Sequence, residues 1–255
     1  MNERSHARHV VDQFGTQAAA YVASAVHAAG TDLDRIGALV RGIPGARVLD
    51  LGCGGGHVAF AAAAAGATVT AYDLSEAMLS AVVAEAGRRG LDRIETRQGS
   101  AESLPFPGAT FDAVLTRYSA HHWREVPRAL TEARRVLKTD GLLVVCDIVS
   151  AEDPLLDTHL QAVELLRDPS HVRDYRVSEW RAMLDAAGFT PGALMASRPR
   201  IEFASWIARM RTPGPQVAAI RALQAAAPTE VMEYFHIEAD GSFLLDSVLI
   251  ESRPR

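Results

Sequence analysis

The chain has 255 residues, of which 48% are hydrophobic and 6% aromatic, and alanine is abundant. This length is sufficient for a large buried core without disulfides or a structural metal. The two cysteines exclude a disulfide framework and indicate a reducing compartment, and the net charge of −5 argues against a large nucleic-acid-binding surface. The apolar run 58–67 is too short to span a membrane, and residues 1–10 do not resemble a signal peptide. We therefore expect a cytoplasmic globular protein without a membrane span.

The N-terminal part, residues 1–44, predicts a helical cap. Tyr21 lies in an amphipathic helical pattern over residues 15–30, and a second helix is predicted over 33–41. Ile43-Pro44-Gly45 ends the second helix, because proline and glycine both interrupt helical hydrogen bonding.

The middle of the chain alternates short apolar segments with longer helical patterns. The predicted strands are 47–51, 68–72, 94–98, 111–116 and 142–147, and the predicted helices between them are 57–65, 75–89 and 126–137. Strands that are apolar throughout are typical of a parallel sheet covered on both faces. The alternation therefore predicts right-handed crossovers and a doubly wound α/β sheet.

The pattern changes after residue 150. Helices are predicted over 157–167, 178–187, 204–210 and 216–226, with a strand inside 194–203. Segments 231–237 and 242–251 flank a turn at Ala239-Asp240-Gly241, which predicts a β-hairpin. We expect this half to complete the sheet and to build a cap rather than to form an independent domain.

A glycine-dense turn, Gly52-Cys53-Gly54-Gly55-Gly56, joins the first predicted strand to a helix. Glycine allows a sharp turn and a close ligand approach, and a helix N-terminus offers free N–H groups. A purely structural turn is the alternative. A dinucleotide fingerprint would have a third glycine where His57 stands. Asp50, at the end of the strand, would repel a pyrophosphate but suits a cationic ammonium group, so the turn favours a nucleotide-like ligand that carries a positive charge.

An acid, Asp73, follows the second predicted strand about 20 residues beyond the first glycine of the turn. This spacing allows its carboxylate to accept hydrogen bonds from ribose hydroxyls. Dinucleotide-binding proteins share this feature. The alternative is that Asp73 caps the helix that begins near Ser75.

Residues 50–56 resemble the first motif of class I S-adenosylmethionine-dependent methyltransferases, and in particular the ubiquinone/menaquinone-biosynthesis type. Segments 99–106, 111–114 and 135–141 fit the family in order and in spacing. The resemblance implies a Rossmann-like, mostly parallel sheet with a C-terminal antiparallel strand, a helical N-terminal cap and a lid insertion. Residues 1–255 would then form one domain, with the cap in 1–44, the cofactor-binding core in 45–150, and acceptor-side insertion and sheet completion in 151–255.

The resemblance also implies the cofactor, S-adenosylmethionine, with S-adenosylhomocysteine as product. The implied cofactor-binding residues are Tyr21, Asp50, Gly52, Cys53, Gly54, Asp73, Leu74, Met78, Ser100, Ala101, Glu102 and Arg117. By this resemblance, the glycine turn would pass under the methionine moiety, Asp50 would lie near its amino group, and Asp73 would take the ribose hydroxyls. The residues beside the adenine would be Leu74 and Met78 on one face and Ser100, Ala101 and Glu102 on the other. Tyr21 would close over the cofactor, and Arg117 would contact it or order its loop.

The fourth predicted strand leads into the histidine-bearing segment 116–123. In an open α/β sheet, ligands lie beyond the carboxyl ends of the strands, so this segment is expected to face the methyl donor. Methyl transfer needs alignment and exclusion of water, and it needs a base only if the acceptor must lose a proton. His121 or His122 is the candidate base, and a loop-ordering role is the alternative. Polar segment 167–175 is expected either to line the acceptor pocket or to be a solvated loop.

We therefore predict methyl transfer by direct displacement to an oxygen, nitrogen or carbon atom of a small organic acceptor. Methylation of tRNA or another macromolecule is less favoured because of the negative net charge. A nicotinamide-dependent oxidoreductase is disfavoured by Asp50 and His57. A cofactor-binding protein without turnover stays open, and so does a homodimer. The histidines and cysteines lack metal-ligand spacing, so no metal is expected.

Overall fold

The structure is a computed structural model that describes residues 5–15, 17–18, 22 and 29–255. The helices are α1 (His6–Gly15), α2 (Thr31–Arg41), α3 (His57–Ala64), α4 (Glu76–Arg89), α5 (Val126–Val136), α6 (Pro154–Arg167), α7 (Val177–Ala186), α8 (Phe203–Met210), α9 (Gly214–Ala225) and α10 (Thr229–Phe235). The strands are β1 (Arg47–Leu51), β2 (Thr68–Asp73), β3 (Ile94–Gln98), β4 (Phe111–Arg117), β5 (Leu137–Ile148), β6 (Phe189–Ser197), β7 (Arg200–Ile201), β8 (Phe243–Leu244) and β9 (Ser247–Pro254).

Seven strands form the main sheet, in the order β3-β2-β1-β4-β5-β9-β6. Strands β1 to β5 are parallel to their neighbours, and β9 runs antiparallel to both β5 and β6. The predicted mostly parallel sheet with a C-terminal antiparallel strand is therefore confirmed. The strand order reverses between β1 and β4, and ligands of such sheets bind beyond the carboxyl ends at this switch point.

Both faces of the sheet are covered by helices. Val48 points into one buried cluster with Ile36 of α2 and Val82 of α4, whereas the next residue, Leu49, points into another with Trp180 of α7. Consecutive side chains of a strand point to opposite faces, so an apolar β1 fills two cores at once. These two layers fix the ends of β1 and β2 in space.

The region between β6 and β9 forms a helical insertion. Helices α8, α9 and α10 pack with α6 around a third buried cluster that includes Leu160, Phe203, Trp206, Ile220 and Phe243. Beside this cluster, β7 and β8 form a small antiparallel sheet. In the described part of the chain, no helix is long and apolar enough to cross a membrane.

The predicted hairpin over 231–251 is wrong. Residues Thr229–Phe235 form helix α10, in which Val231 and Phe235 are buried one helical turn apart. The strands after it pair elsewhere, β8 with β7 and β9 with β5 and β6. Segment 231–237 is short and its apolar residues have no clear helix or strand period. It forms a helix because of its packing in the insertion, which the local pattern does not show.

Candidate active site

A cavity lies at the carboxyl ends of β1, β2 and β4, with α1 on its far side. The predicted site residues in its wall are Asp50, Gly52, Cys53, Gly54, Asp73, Leu74, Met78, Ser100, Ala101, Glu102, Arg117 and His122. His121 is not in this wall, and Tyr21 lies outside the described residues. Residues distributed over more than 70 positions of the sequence, from Asp50 to His122, therefore meet in one place.

The glycine turn is shaped by left-handed backbone conformations. Gly52 has φ +73°, and a Cβ atom there would lie 2.0 Å from Ser119 Oγ. Gly54 has φ +46°, and a Cβ atom there would meet nothing within 4 Å. Gly52 is thus required for packing of the protein itself, whereas the space in front of Gly54 belongs to the cavity.

Asp50 is a buried carboxylate in the cavity wall. Its Oδ2 accepts a hydrogen bond from the Ala59 backbone N–H at 2.9 Å. Burial raises the pKa of Asp50 to about 7, the Ala59 hydrogen bond lowers it, and the nearby Asp73 charge raises it further. A cationic group placed beside Asp50 would offset both the burial and the Asp73 charge, and it would therefore favour the carboxylate form.

Asp73 connects the glycine turn to the start of α4. Its Oδ2 accepts from Gly54 N and its Oδ1 from Ser75 N, both at 2.9 Å. The N-cap of α4 is Ser75, whose Oγ accepts from Met78 N, so Asp73 is not the capping residue. Burial raises the pKa of Asp73. Each oxygen keeps lone-pair capacity for a further donor.

The opposite side of the cavity is formed by the loop after β3. Ser100 Oγ donates to Glu102 Oε2 at 2.8 Å, and Glu102 Oε1 accepts from the backbone N–H groups of Arg124 and Glu125 at 3.0 and 3.1 Å. Glu102 therefore ties this loop to the start of α5. Tyr72 Oη donates to Ser100 O at 3.3 Å, which holds the loop over β2.

A short 3-10 turn, Ala120–His122, follows β4 and is held by Asp147 at the end of β5. Asp147 Oδ2 accepts from Ala120 N at 2.9 Å, and Oδ1 accepts from His121 Nδ1 at 2.6 Å. Burial opposes a charged His121, but the Asp147 carboxylate outweighs it and raises the pKa of His121 to about 9. His121 is thus an imidazolium at neutral pH, anchored behind the cavity wall.

His122 is in the opposite state. Its Nδ1 lies 3.1 Å from Ser170 O, so an N–H at Nδ1 donates to this carbonyl and Nε2 carries the lone pair. Asp168 Oδ2 lies 3.9 Å from Nε2. Burial, together with the charge of His121, lowers the pKa of His122 to about 3. His122 is therefore a neutral imidazole in the cavity wall.

Helix α1 covers this part of the cavity. His6 Nε2 donates to the backbone oxygen of His122 at 2.9 Å, and the Phe14 ring lies edge-on to the His122 ring with centroids 4.9 Å apart. His6, Val10 and Phe14 follow each other at four-residue spacing and all line the cavity. This helical stripe is the signal in the sequence that would have identified α1 as part of the site.

Segment 167–175 supports the histidine turn instead of lining the cavity. The backbone N–H groups of Val172 and Arg173 donate to His121 O at 2.8 and 3.2 Å. The rings of His121 and His171 lie 5.9 Å apart. The segment was expected either to line the acceptor pocket or to be a solvated loop. It does neither, because it is packed behind the cavity wall. Among the residues that the structure describes, no cluster of His, Cys, Asp and Glu has the arrangement of a metal site.

Arg117, the last residue of β4, is held by an acid that the sequence did not reveal. Its Nε donates to Asp32 Oδ2 of α2 at 2.5 Å, and its guanidinium lies over the Tyr118 ring at 4.6 Å from the centroid.

Asp147, which holds the histidine turn, was not identified from the sequence either. Its position at the end of a predicted strand, at the same sheet edge as the histidines, was the available signal.

Comparison with known proteins identifies the family. A methyltransferase domain family matches residues 49–145. The chain is 47% identical to YafE of Escherichia coli over 197 residues, which are 77% of this chain and 95% of YafE. It is 36% identical to the methyltransferase YcgJ of Bacillus subtilis over 214 residues, which are 82% of this chain and 85% of YcgJ. The chain belongs to the S-adenosylmethionine-dependent methyltransferases.

The crystal structure of YcgJ shows that the methyltransferase fold is shared over nearly the whole chain. It superposes with a TM-score of 0.82 at 34% identity and covers 87% of this methyltransferase and 98% of YcgJ. A ubiquinone/menaquinone biosynthesis C-methyltransferase of Methylobacterium nodulans is 37% identical over 114 residues, which are 44% of this chain and 45% of that enzyme. The predicted family and its similarity to the ubiquinone/menaquinone-biosynthesis type are confirmed, the latter for less than half of the methyltransferase.

Proposed function

We propose that this enzyme transfers the methyl group of S-adenosylmethionine to a small organic acceptor by direct displacement at the methyl carbon. One observation carries the proposal: the glycine turn, Asp50, Asp73 and His122 line a single cavity that α1 covers. A covered cavity suits a small molecule better than a nucleic acid, and the net charge of −5 agrees. The name of the ubiquinone/menaquinone relative also supports a small acceptor.

The residues in the wall fit the cofactor from one end to the other. The methionine moiety would lie along Gly52, Cys53 and Gly54, where the backbone leaves open space, with its ammonium group at Asp50. The ribose hydroxyls would donate to Asp73, whose oxygens retain acceptor capacity. Leu74 and Met78 would lie on one side of the adenine, and Ser100, Ala101 and Glu102 on the other. Tyr21 belongs to this proposal by resemblance alone.

This placement of the cofactor assigns a different role to each of three parts of the chain. Residues 45–150 would form the cofactor-binding core of a single domain, and residues 1–44 the cap that closes it. Residues 151–255 complete the sheet, and we propose that their helical insertion belongs to the acceptor side. Two free, buried cysteines, Cys53 and Cys146, are consistent with a reducing compartment such as the cytoplasm.

In the mechanism, the chain aligns the acceptor nucleophile with the methyl carbon and the sulfur, and it keeps water out. S-adenosylmethionine supplies an electrophilic methyl group on a sulfonium. When the acceptor must lose a proton, we propose that Nε2 of the neutral His122 takes it. The Asp168 carboxylate at 3.9 Å would offset part of the cost of the imidazolium formed, which burial and the charge of His121 oppose. His121 is already protonated at neutral pH, so it positions the turn instead of accepting a proton.

Titration calorimetry tests the proposal directly. We expect the purified protein to bind S-adenosylhomocysteine with a dissociation constant in the micromolar range or tighter, about −8 kcal/mol. NADH, which carries a pyrophosphate that Asp50 would repel, should give no heat under the same conditions. Heat with NADH and none with S-adenosylhomocysteine would contradict the proposed function.

The pH dependence of cofactor binding tests the role of Asp50. Its pKa of about 7 means that much of the free protein carries a neutral Asp50 below pH 7. An ammonium group binds the carboxylate form, so binding must release a proton there, and affinity should rise by about tenfold from pH 5.5 to 7. Calorimetry across this range measures the effect.

The matched variant is Asp50→Asn, which has the same shape but no titrating carboxyl. Its affinity should be lower at pH 7 and nearly constant between pH 5.5 and 7. An equally steep pH dependence in the variant would show that another group, such as Asp73, is responsible.

A further inference from the structure

The cavity has two sides of different chemistry. The side formed by the glycine turn and the ends of β1 and β2 carries two carboxylates, Asp50 and Asp73. The opposite side is formed by α1, whose residues Ala7, Val10 and Phe14 line the cavity. The polar groups of the proposed cofactor are assigned to the first side, which leaves the α1 side for the acceptor.

Helix α1 has an apolar side that the protein does not fully bury. A helix of a folded protein normally buries such a stripe, but no described residue of α1 is fully buried. Val10 and Phe14 are half-buried and both line the cavity, so part of their apolar surface opens into it. In contrast, Arg8 pairs with Asp12 at 2.9 Å, with side chains that are 69% and 57% exposed. The helix therefore has its charged side in the solvent and its apolar side toward the cavity.

Contacts near both ends of α1 hold it in this orientation. At the start, His6 Nε2 donates to His122 O at 2.9 Å. Near the end, Gln13 Nε2 donates to Met210 O at 3.2 Å, which links α1 to helix α8 of the insertion. The Phe14 ring also contacts the His122 ring. The apolar stripe is therefore a defined part of the wall, beside the candidate base.

The charged side chains of the described wall lie away from the stripe. The wall residues that α1 contributes include no Asp, Glu, Lys or Arg. Elsewhere in the wall, Arg117 pairs with Asp32, Glu102 holds the loop after β3, and Arg124 is exposed to solvent. A charged acceptor would lose hydration against the stripe and would gain no opposite charge from α1, which makes its burial there costly.

We infer that the methyl acceptor is a small, uncharged and predominantly apolar molecule that packs against Val10 and Phe14 of α1. This inference rests on the proposed function and names the class of its acceptor. Such a molecule completes the burial that the stripe lacks, and it lies between α1 and the methyl donor. Val10 lies at the middle of the stripe, one helical turn from His6 and from Phe14, so it is the residue that determines which acceptors bind.

The test asks which small molecules accept the methyl group. A small-molecule cell extract is divided at pH 7, by extraction into ethyl acetate, into an uncharged apolar fraction and a charged aqueous fraction. The division precedes the reaction because methylation of a carboxylate would remove its charge. Each fraction is then incubated with the protein and S-adenosylmethionine that carries a tritiated methyl group. We expect at least about tenfold more labelled product from the apolar fraction. Equal or greater product from the aqueous fraction would overturn the inference.

Val10→Asp places a carboxylate in the middle of the stripe. It should reduce transfer to the apolar fraction by at least about tenfold, while calorimetry should show a nearly unchanged affinity for S-adenosylhomocysteine. Val10→Thr keeps the shape and adds one hydroxyl, so it should reduce transfer by about fivefold, and it serves as the test if the aspartate variant does not fold. Val11→Asp is the matched control, since Val11 is the next residue of α1 but is not in the cavity wall, and it should keep wild-type transfer.

The outcomes separate the inference from the proposed function. A Val10→Asp variant that folds and transfers the methyl group at the wild-type rate would overturn the inference. A wild-type protein that gives no labelled product with either fraction would instead contradict the proposed function.

Discussion

Gly54→Ala is expected to weaken the binding of S-adenosylhomocysteine by roughly 10- to 100-fold, because placing a methyl group into a filled site costs about 1–3 kcal/mol. In the free protein the new Cβ would meet nothing within 4 Å, so the loss would come from contact with the ligand. The left-handed backbone, φ +46°, adds a cost to folding of about 1 kcal/mol. Calorimetry measures the affinity, and thermal unfolding without ligand measures the cost to stability.

Gly45→Ala separates the two effects. Gly45 has φ +68°, and a Cβ atom there would likewise meet nothing within 4 Å, but this glycine is not in the cavity wall. Both variants should lose a similar amount of stability, and only Gly54→Ala should lose affinity. Equal affinities in the two variants would show that the cofactor does not pass over Gly54.

The core of the fold was readable from the sequence because its strands are local and apolar. β1, which is buried from Val48 to Leu51, begins and ends where the apolar pattern predicts it, and Ser75 at the N-cap gives α4 a clear start. β5 extends further than predicted, from Leu137, because Leu137 pairs with Phe111 across the sheet. Such cross-strand pairing leaves no signal in the polar residues that lie between Leu137 and the apolar run.

The sequence predicted those residues of the candidate site whose position follows from a local motif. The glycine turn and Asp73 lie where their spacing places them. The position of Asp147 at a strand end was visible in the sequence, but the partners of Asp147 and Asp32 were not, since they pair with His121 and Arg117 over 26 and 85 positions of sequence. The same pairing decides between the two adjacent histidines: Asp147 holds His121 behind the wall, and the turn then leaves His122 in the wall.

His122→Ala is expected to reduce turnover by about 100-fold or more while leaving the affinity for S-adenosylhomocysteine unchanged. The reason is that the variant removes the neutral imidazole at Nε2 but leaves the glycine turn, Asp50 and Asp73 in place. Transfer of a tritiated methyl group from S-adenosylmethionine into the small-molecule fraction of a cell extract measures the turnover. His159→Ala is the matched control, because His159 packs on Phe235 outside the active-site cavity and should have full activity.

The pH profile distinguishes His122 from an ordinary histidine. With a pKa of about 3, its imidazole stays unprotonated down to acidic pH, so His122 itself should cause no loss of turnover between pH 8 and 5 when the cofactor is saturating. A histidine of unperturbed pKa would lose activity below about pH 6.5. Burial is the larger cause of this low pKa and the His121 charge is the second, so His121→Ala, which removes the second, should move the acid limb of the profile to higher pH. Unchanged turnover in His122→Ala would limit His122 to packing against Phe14, and the acceptor would then be a nucleophile that needs no base.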